Sequence, residues 1–366
     1  MSPLLRALLL VAGVGAAATR IWSAFEQEGA PPEAFLEGGP ALWGRLGASP
    51  VVIEGLQSLG SSSWPDEEEE RASKLGVRLL TCMDPEWPED LDGQPDSPRL
   101  LYIMGRWPLP GPFVSVVGTR RSSQYGSRAA YEIGRAVAGA GGVVVSGGAA
   151  GIDGAAHEGC LSAGGSSLAV LGTGVDVAYP RSHAKLFERL SRDGALVSEY
   201  PLGSSPRQWR FPERNRIIAS LARPLVVVEA PARSGAMITA RRALELGREV
   251  WAVPGRINEE GCQGSNRLIY DGAIPLVSVA DFISLAFNRQ LSLFGEPART
   301  VDNSIAFSEK EQRILSLLEK SGDRTVDNLA VEGKMSPADV FSSLAALTAA
   351  GRVYAAGPGR WSAVPK

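Results

Sequence analysis

The residues best placed to do chemistry lie in four glycine-bearing turns. These are Gly118-Thr119-Arg120-Arg121-Ser122, Ser146-Gly147-Gly148-Ala149-Ala150-Gly151-Ile152-Asp153, Gly172-Thr173-Gly174 and Ser234-Gly235-Ala236-Met237-Ile238-Thr239. A glycine turn that opens a helix lets backbone N–H groups approach an anion with the helix dipole behind them. Each turn is therefore a candidate phosphate cradle, although a glycine there serves close packing equally well. A second signal is the interleaving of Arg207, Arg210, Arg214 and Arg216 with Trp209 and Phe211, beside Asn215. Arginines grip phosphates and rings offer stacking platforms, which is how single strands are held without reading their sequence. The competing reading buries Trp209 and Phe211 in a core and pairs some arginines with Glu199 or Glu229. Lys185 and Phe187, after Tyr179-Pro180, repeat the signal more weakly.

Catalytic sets are missing from the inventory. No G-x-x-x-x-G-K-[ST] string occurs, so nucleotide hydrolysis lacks its usual lysine and magnesium ligand, and the dinucleotide fingerprint is absent too. The chain has 2 histidines, His157 and His183, neither with metal-ligand spacing. His157 follows Asp153 by one helical turn and reads as a helix-start histidine satisfied by a carboxylate or a backbone group. The 3 cysteines form no C-x-x-C pair, which suits a reducing cytoplasm. The expectation is a binding protein with no metal and no cofactor.

Charge locates the binding region. The net charge of −3 argues weakly against nucleic acid, but residues 113–286 carry 19 Lys/Arg against 15 Asp/Glu while residues 1–112 are strongly acidic. The segment attractive to phosphate is also the glycine-rich one.

The elements that must hold these residues follow from the apolar pattern. From Phe113 onward, apolar runs at Val114–Val117, Val143–Val145, Leu168–Leu171, Leu225–Val228 and Val250–Val253 alternate with helical segments. Such runs, each ending in a turn, predict buried parallel strands of a doubly wound, Rossmann-like α/β sheet, with ligands at the strand ends. Runs at Val77–Leu80 and Leu100–Met104 are expected to extend that sheet. Residues 1–62 read as a small module of short helices, with a turn at Val11–Gly15. The acidic run Asp66–Glu70 reads as a solvated helix face. Arg6, the apolar run Ala7–Ala12 and the small residues Ala16–Ala18 mimic a secretory signal, but the apolar pattern resumes at Ile21, Trp22 and Phe25. No apolar run is long enough for a transmembrane helix. A Rossmann-like domain over residues 63–287, a linker at 288–304 and a tail at 305–366 complete the expected organisation. In the tail, Ser308 with Glu311 forms a capping box, further helices lie near Val326–Val331 and from Ser336-Pro337 to Gly351, and a hairpin follows. That order predicts a winged helix. Its last helix has Asp339 and no Lys or Arg, so it is expected to serve partners rather than read DNA.

Several strings, taken together, resemble the DprA/Smf family. They are S-G-G-A-A-G-I-D-G-A-A-H at 146–157, A-V-L-G-T-G-V-D-V-A-Y-P at 169–180, S-E-Y-P-L-G at 198–203, F-P-E-R-N-R-I-I-A at 211–219, V-V-V-E-A-P-A-R-S-G-A-M-I-T-A at 226–240 and A-V-P-G at 252–255. The N-terminus is similar to that family's sterile-alpha-motif-like domain and the tail to its winged helix. The resemblance implies a homodimer that binds single-stranded DNA and loads the RecA recombinase in natural transformation, away from membranes. It implies that Arg120 and Lys185 line a DNA groove, and that Ser146, Gly147, Asn215, Arg216, Ser234 and Gly235 surround its phosphate pocket. Gly118, Arg121, Gly148, Phe187 and Arg214 join the expected site from the turns and the basic-aromatic runs. One departure stands out: where the family usually reads A-R-G-I-D, this chain has Ala150 before Gly151. The rival reading is a phosphoribohydrolase-type enzyme acting on nucleoside monophosphates. It is weakened because Ser234–Ala240 lacks the carboxylate of such enzymes' P-G-G-x-G-T-x-x-E motif.

Overall fold

The β-branched runs form the middle of a nine-stranded sheet in the computed structural model. The structure describes residues 1–92, 94, 96–293, 307–322, 324–349, 352–357 and 360–363. The strands are β1 (Val77–Thr81), β2 (Leu100–Gly105), β3 (Phe113–Val117), β4 (Val143–Ser146), β5 (Ser167–Val170), β6 (Ala195–Ser198), β7 (Leu225–Val227), β8 (Val250–Ala252) and β9 (Ile274–Pro275), in the order β1-β2-β6-β5-β4-β3-β7-β8-β9. All neighbours from β6 to β9 are parallel, whereas β1 and β2 extend the sheet antiparallel. Every residue of β4 and β5 is buried, as expected of strands covered on both faces. The mostly parallel α/β sheet expected from the sequence is present. β6 and β9 were not foreseen: β6 has one β-branched residue in four, directly after a charged helix, and β9 is two residues long.

The chain builds β3, β4, β5 and β6 in one direction, then returns to the other side of β3 to lay down β7, β8 and β9. The strand order therefore reverses between β3 and β7, and the loops leaving their carboxyl ends part to form a crevice.

Five helices precede the sheet: α1 (Pro3–Val14), α2 (Ala16–Gln27), α3 (Pro32–Arg45), α4 (Pro50–Gly60) and α5 (Trp64–Lys74). Gly15, at φ 101°, makes the expected turn between α1 and α2. Trp22, Phe25, Phe35 and Trp43 pack ring against ring and share one apolar core with Leu100 and Tyr102 of β2 and Leu196 of β6. The acidic run on α5 is not wholly solvated. Glu68 is 1 % exposed and accepts the Leu202 amide at 2.7 Å, and burial pushes its carboxyl upward. It lies in helical register with buried Pro65 and Ala72.

Helices α6 (Gln124–Gly139), α7 (Ile152–Ser162), α8 (Ala184–Asp193), α9 (Arg210–Leu221), α10 (Gly235–Glu245), α11 (Gln263–Tyr270) and α12 (Val279–Leu293) pack around the sheet. Between α6 and α7 a Cβ at Gly159 would stand 2.0 Å from the Tyr131 carbonyl, and one at Gly134 would stand 2.2 Å from that of Ala156. Those two glycines let the helices touch backbone to backbone. Met1–Leu293 form one compact unit and Phe294–Lys366 a second. The expected linker begins too early, because α12 carries helical hydrogen bonding through Leu293; residues 294–306 lie outside the described residues.

The second unit holds α13 (Glu309–Ser321), α14 (Val326–Gly333) and α15 (Pro337–Ala349), with β10 (Arg324–Thr325), β11 (Val353–Gly357) and β12 (Arg360–Ala363) in the order β10-β12-β11. The Ser308–Glu311 capping box forms as expected. Ile314, Leu318, Leu329, Val340, Leu344 and Val353 make its core. No described helix is long and apolar enough to cross a membrane.

Candidate nucleic-acid interface

The crevice between β3 and β7 opens as a groove of about 510 Å³. Gly118, Thr119 and Arg120 reach it from the turn after β3, Asp153 from α7, Phe211 and Asn215 from α9, and Ser234 and Gly235 from the turn before α10. Local rules explain the turns. Ser123 caps α6 by accepting the Gly126 amide at 3.0 Å, and its own amide donates to buried Glu229 at 2.9 Å. Gly151, at φ 82°, passes so close to the first turn that a Cβ would lie 2.4 Å from the Thr119 carbonyl. Ser234 caps α10 through the Met237 amide, leaving the Gly235 and Ala236 amides without an acceptor among the described residues. That helix start, lining the groove with no acid in its first turn, suits an anion.

The second glycine turn is already occupied. Asp153 Oδ2 accepts from the amides of Gly147, at 3.1 Å, and Ala149, at 3.4 Å, so an internal carboxylate takes the place expected for phosphate. Ser146 is buried and donates to the Val116 carbonyl at 2.6 Å, while Gly147 and Gly148 are buried beneath Arg214 and Phe187. The third turn packs against protein, with the Thr173 hydroxyl donating to the Val177 carbonyl at 2.9 Å and Gly172 against the Phe211 ring.

The basic-aromatic run divides in two. Arg214 is 3 % exposed and donates to the carbonyls of Gly147, at 2.7 Å, and Val170. Burial lowers its guanidinium to about 10, against the pull of Asp153, so it stays cationic at neutral pH. Burial pushes the Asp153 carboxyl up, while Arg214 and the loop amides oppose this. Arg216 is held in a largely buried ion pair with Glu199. Both arginines, expected as phosphate contacts, are engaged within the protein, and of the two Arg214 is the one among the residues lining the groove. A readable signal existed: Arg214 lies three, four and seven residues before buried Ile217, Ile218 and Leu221, on the apolar stripe of α9. Phe187 likewise shares the buried face of α8 with Leu190 and belongs to the core.

The remaining groups face outward. Arg120 lies over Phe211 with its guanidinium carbon 4.9 Å from the ring centroid, and Phe211 lies 5.5 Å from Tyr179, centroid to centroid. Arg210 stacks on Tyr200 and Trp209, and Trp209 is 53 % exposed. Arg121, Lys185, Arg207 and Arg233 are exposed, and their charges have no partner among the described residues. Arg121 and Lys185 do not line the groove, whereas Tyr179 and Gln208 do, and neither was foreseen.

Glu229, Glu259 and Cys262 bring ligand atoms within 4.8 Å of one another. Both Glu229 oxygens already accept from Ser123, and burial pushes the Cys262 thiol up. This donor set holds a helix start and gives no ground for a metal site.

A family model described as DNA recombination-mediator protein A matches residues 78–287, from the edge strand β1 to the middle of α12. The DNA processing protein DprA of Mycobacterium tuberculosis is 36 % identical over 365 residues, which is 93 % of each chain. The chain belongs to the DprA/Smf family. A Synechocystis Smf protein is 43 % identical over 216 residues, covering 57 % of this chain and 54 % of that relative. The crystal structure of DprA from Streptococcus pneumoniae superposes with a TM-score of 0.68 at 32 % identity, over 76 % of this chain and 97 % of that one. A Helicobacter pylori DNA processing protein A, described for its single-stranded DNA binding mode, matches with a TM-score of 0.53 at 28 % identity, over 58 % and 97 %. In this DprA/Smf chain Ala150 stands in the turn closed by Asp153 and does not line the groove.

Proposed function

We propose that this chain binds single-stranded DNA in the sheet-edge groove without reading its sequence, and that it passes the strand to a RecA-type recombinase in the cytoplasm during natural transformation. The observation that carries this is the groove at the strand-order reversal, where the open start of α10 faces Arg120 stacked on Phe211. Phosphate is served by the amides and Arg120, and bases by Phe211, Tyr179 and Trp209. The Helicobacter pylori relative's description supports the ligand. The wall composition favours binding over hydrolysis. Asp153 is the one carboxylate among the groove residues, and its Oδ2 is tied to two amides.

Each phosphate neutralised on a single strand contributes roughly 0.7 to the slope of log affinity against log salt. Arg120→Ala is expected to flatten the slope for oligo-dT by about 0.7; Lys185 lies outside the groove lining, so adding Lys185→Ala brings the change to about 1.4 only where the strand runs on past that lining. Melting temperature should hold, since exposed charges contribute little to stability. An unchanged slope with a lowered melting temperature would assign both residues to structure. The wild-type preparation should speed recombinase assembly on the same oligonucleotide and should not turn over a nucleoside monophosphate; steady turnover lost on mutating the groove would make it an enzyme. Duplex should compete poorly, because α15, the expected recognition helix, carries no Lys or Arg. Tight duplex binding at physiological salt would contradict that assignment of the C-terminal unit to partners.

The homodimer is part of the same reading. Ile257, Tyr270 and Val277 are 85 %, 81 % and 78 % exposed, and all lie in the segment around α11 and the edge strand β9. Large exposed apolar side chains on the segments flanking an edge strand suit a second copy of the chain. Sedimentation should show a dimer for the wild type and a monomer for Tyr270→Glu/Val277→Glu. A monomeric wild type would remove the dimer from the proposal.

A further inference from the structure

The groove does not end at α10. A second groove of about 470 Å³ lies between the first turns of α2 and the outer sides of α9 and α10, lined by residues that include Thr19, Arg20, Arg216, Arg241 and Arg242. Pro212, Asn215, Ile238 and Thr239 line both grooves, so the two share a wall and adjoin. We propose that a single strand leaving the sheet-edge groove continues over this shared wall into the second groove. There Arg20 of the N-terminal helices and Arg241 of α10 hold its phosphates. The inference rests on the single-strand reading above and adds a second subsite to it.

Charge on the walls decides the occupant. Arg20 and Arg241 are exposed and have no acidic partner among the described residues. The carboxylates present are already engaged: Asp96 lies 2.7 Å and Glu245 3.5 Å from the Arg242 guanidinium, and Glu213 accepts from the Tyr200 hydroxyl at 3.2 Å. Arg216 is held by Glu199. Beyond those pairs, Nη1 of Arg216 and Nε of Arg242 are buried, out of a ligand's reach, with no acceptor among the described residues. With Arg216 taken by Glu199 and Arg242 flanked by Asp96 and Glu245, the cations left open to a ligand in the second groove are Arg20 and Arg241. An anionic chain that already lies in the adjoining groove meets those two arginines with successive phosphates. It also gives the N-terminal helices a direct place in binding, because Arg20 stands on the first turns of α2.

A length series of oligo-dT on the full chain tests this. Arg20→Ala/Arg241→Ala should leave affinity for the shortest bound oligonucleotides unchanged. For longer ones it should weaken binding roughly five- to tenfold at low salt and flatten the salt slope by about 1.4. Arg20→Lys/Arg241→Lys should restore the slope, since both side chains carry the charge. Equal affinities of variant and wild type at every length would overturn the second subsite. So would equal weakening at every length, which would place the two arginines in the first groove or in its support. Failure of wild type to bind any oligonucleotide would instead bring down the single-strand reading and this inference with it. Melting temperatures of the same preparations show that the variants are folded.

Discussion

Arg214→Ala is expected to destabilise the protein by about 3–5 kcal/mol, the cost of losing the buried charged hydrogen bonds to two carbonyls and of leaving Asp153 without its neighbouring cation. In a unit of this size that is a fall in melting temperature on the order of 10 °C. The guanidinium joins two loops, with one donor group serving the carbonyls of Gly147 and Val170, and it stands beside Asp153. Removing it strands the Asp153 carboxylate, on which the amides of Gly147 and Ala149 depend. It also empties the space that forbids a side chain at residue 147, where a Cβ would lie 2.4 Å from the guanidinium. Arg214→Lys should recover only part of the loss, because an ammonium on a flexible stem cannot reproduce the planar fork. Thermal unfolding and the salt dependence of oligo-dT binding, measured together, separate this from a phosphate contact. A contact would leave the melting temperature in place and flatten the slope by roughly 0.7; that result would return Arg214 to the DNA-binding surface.

Acid should unfold the protein partly through His157. Its ring is fully buried, and Nδ1 lies 2.7 Å from the Ser167 hydroxyl, which itself donates to the Val144 carbonyl at 2.9 Å. Because that hydroxyl has used its proton, Nδ1 carries the hydrogen and donates, and Nε2 is left bare with no partner among the described residues. A proton on Nε2 would be buried without an acceptor, near His183 and Arg214. Burial first, and those two neighbours next, lower the imidazole from 6.5 to about 3. A depressed value means that, between 6.5 and about 3, the unfolded chain binds a proton that the folded chain does not. Stability from this residue is thus complete above that window and is lost as pH falls through it. Between about pH 7 and about pH 5 the loss should be on the order of 2 kcal/mol. Denaturant titrations at the two pH values should show it for the wild type. His157→Met, which does not titrate, should be less stable at neutral pH by about 1 kcal/mol for the lost hydrogen bond, yet flatter between the two. Parallel pH curves for wild type and variant would remove His157 from acid unfolding.

His157 and Arg214 also show where reading a sequence by residue type stops. His157 reads as a helix-start histidine satisfied by a carboxylate or a backbone group, but its partner is the hydroxyl of Ser167 on the neighbouring strand β5. Asp153, one turn earlier, turns back on its own loop. Both outcomes depend on which strand lies beneath α7, and that is set by the sheet order rather than by spacing. Arg216 is a milder case, since Glu199 is named among its expected partners and the pair forms.

The sequence by itself determined the local elements and their chemistry. Unbroken β-branched runs cannot stay solvated and become central parallel strands. Gly15 and Gly151 are read off as turns, and Ser308 with Glu311 forms its capping box from side chains three residues apart. These features follow from backbone sterics and short-range hydrogen bonds, which a string of residues encodes directly. Tertiary structure decided which of the charged groups remain available. It buried Arg214, paired Arg216 and filled the second glycine turn with Asp153. It left Arg120, Arg20 and Arg241 facing solvent. It also joined the N-terminal helices to the sheet through one apolar core, so that a second groove runs beside the first. The physical reason is that burying a charge depends on partners far apart in sequence. A guanidinium enters the interior only where carbonyls and a carboxylate from other segments converge to receive it.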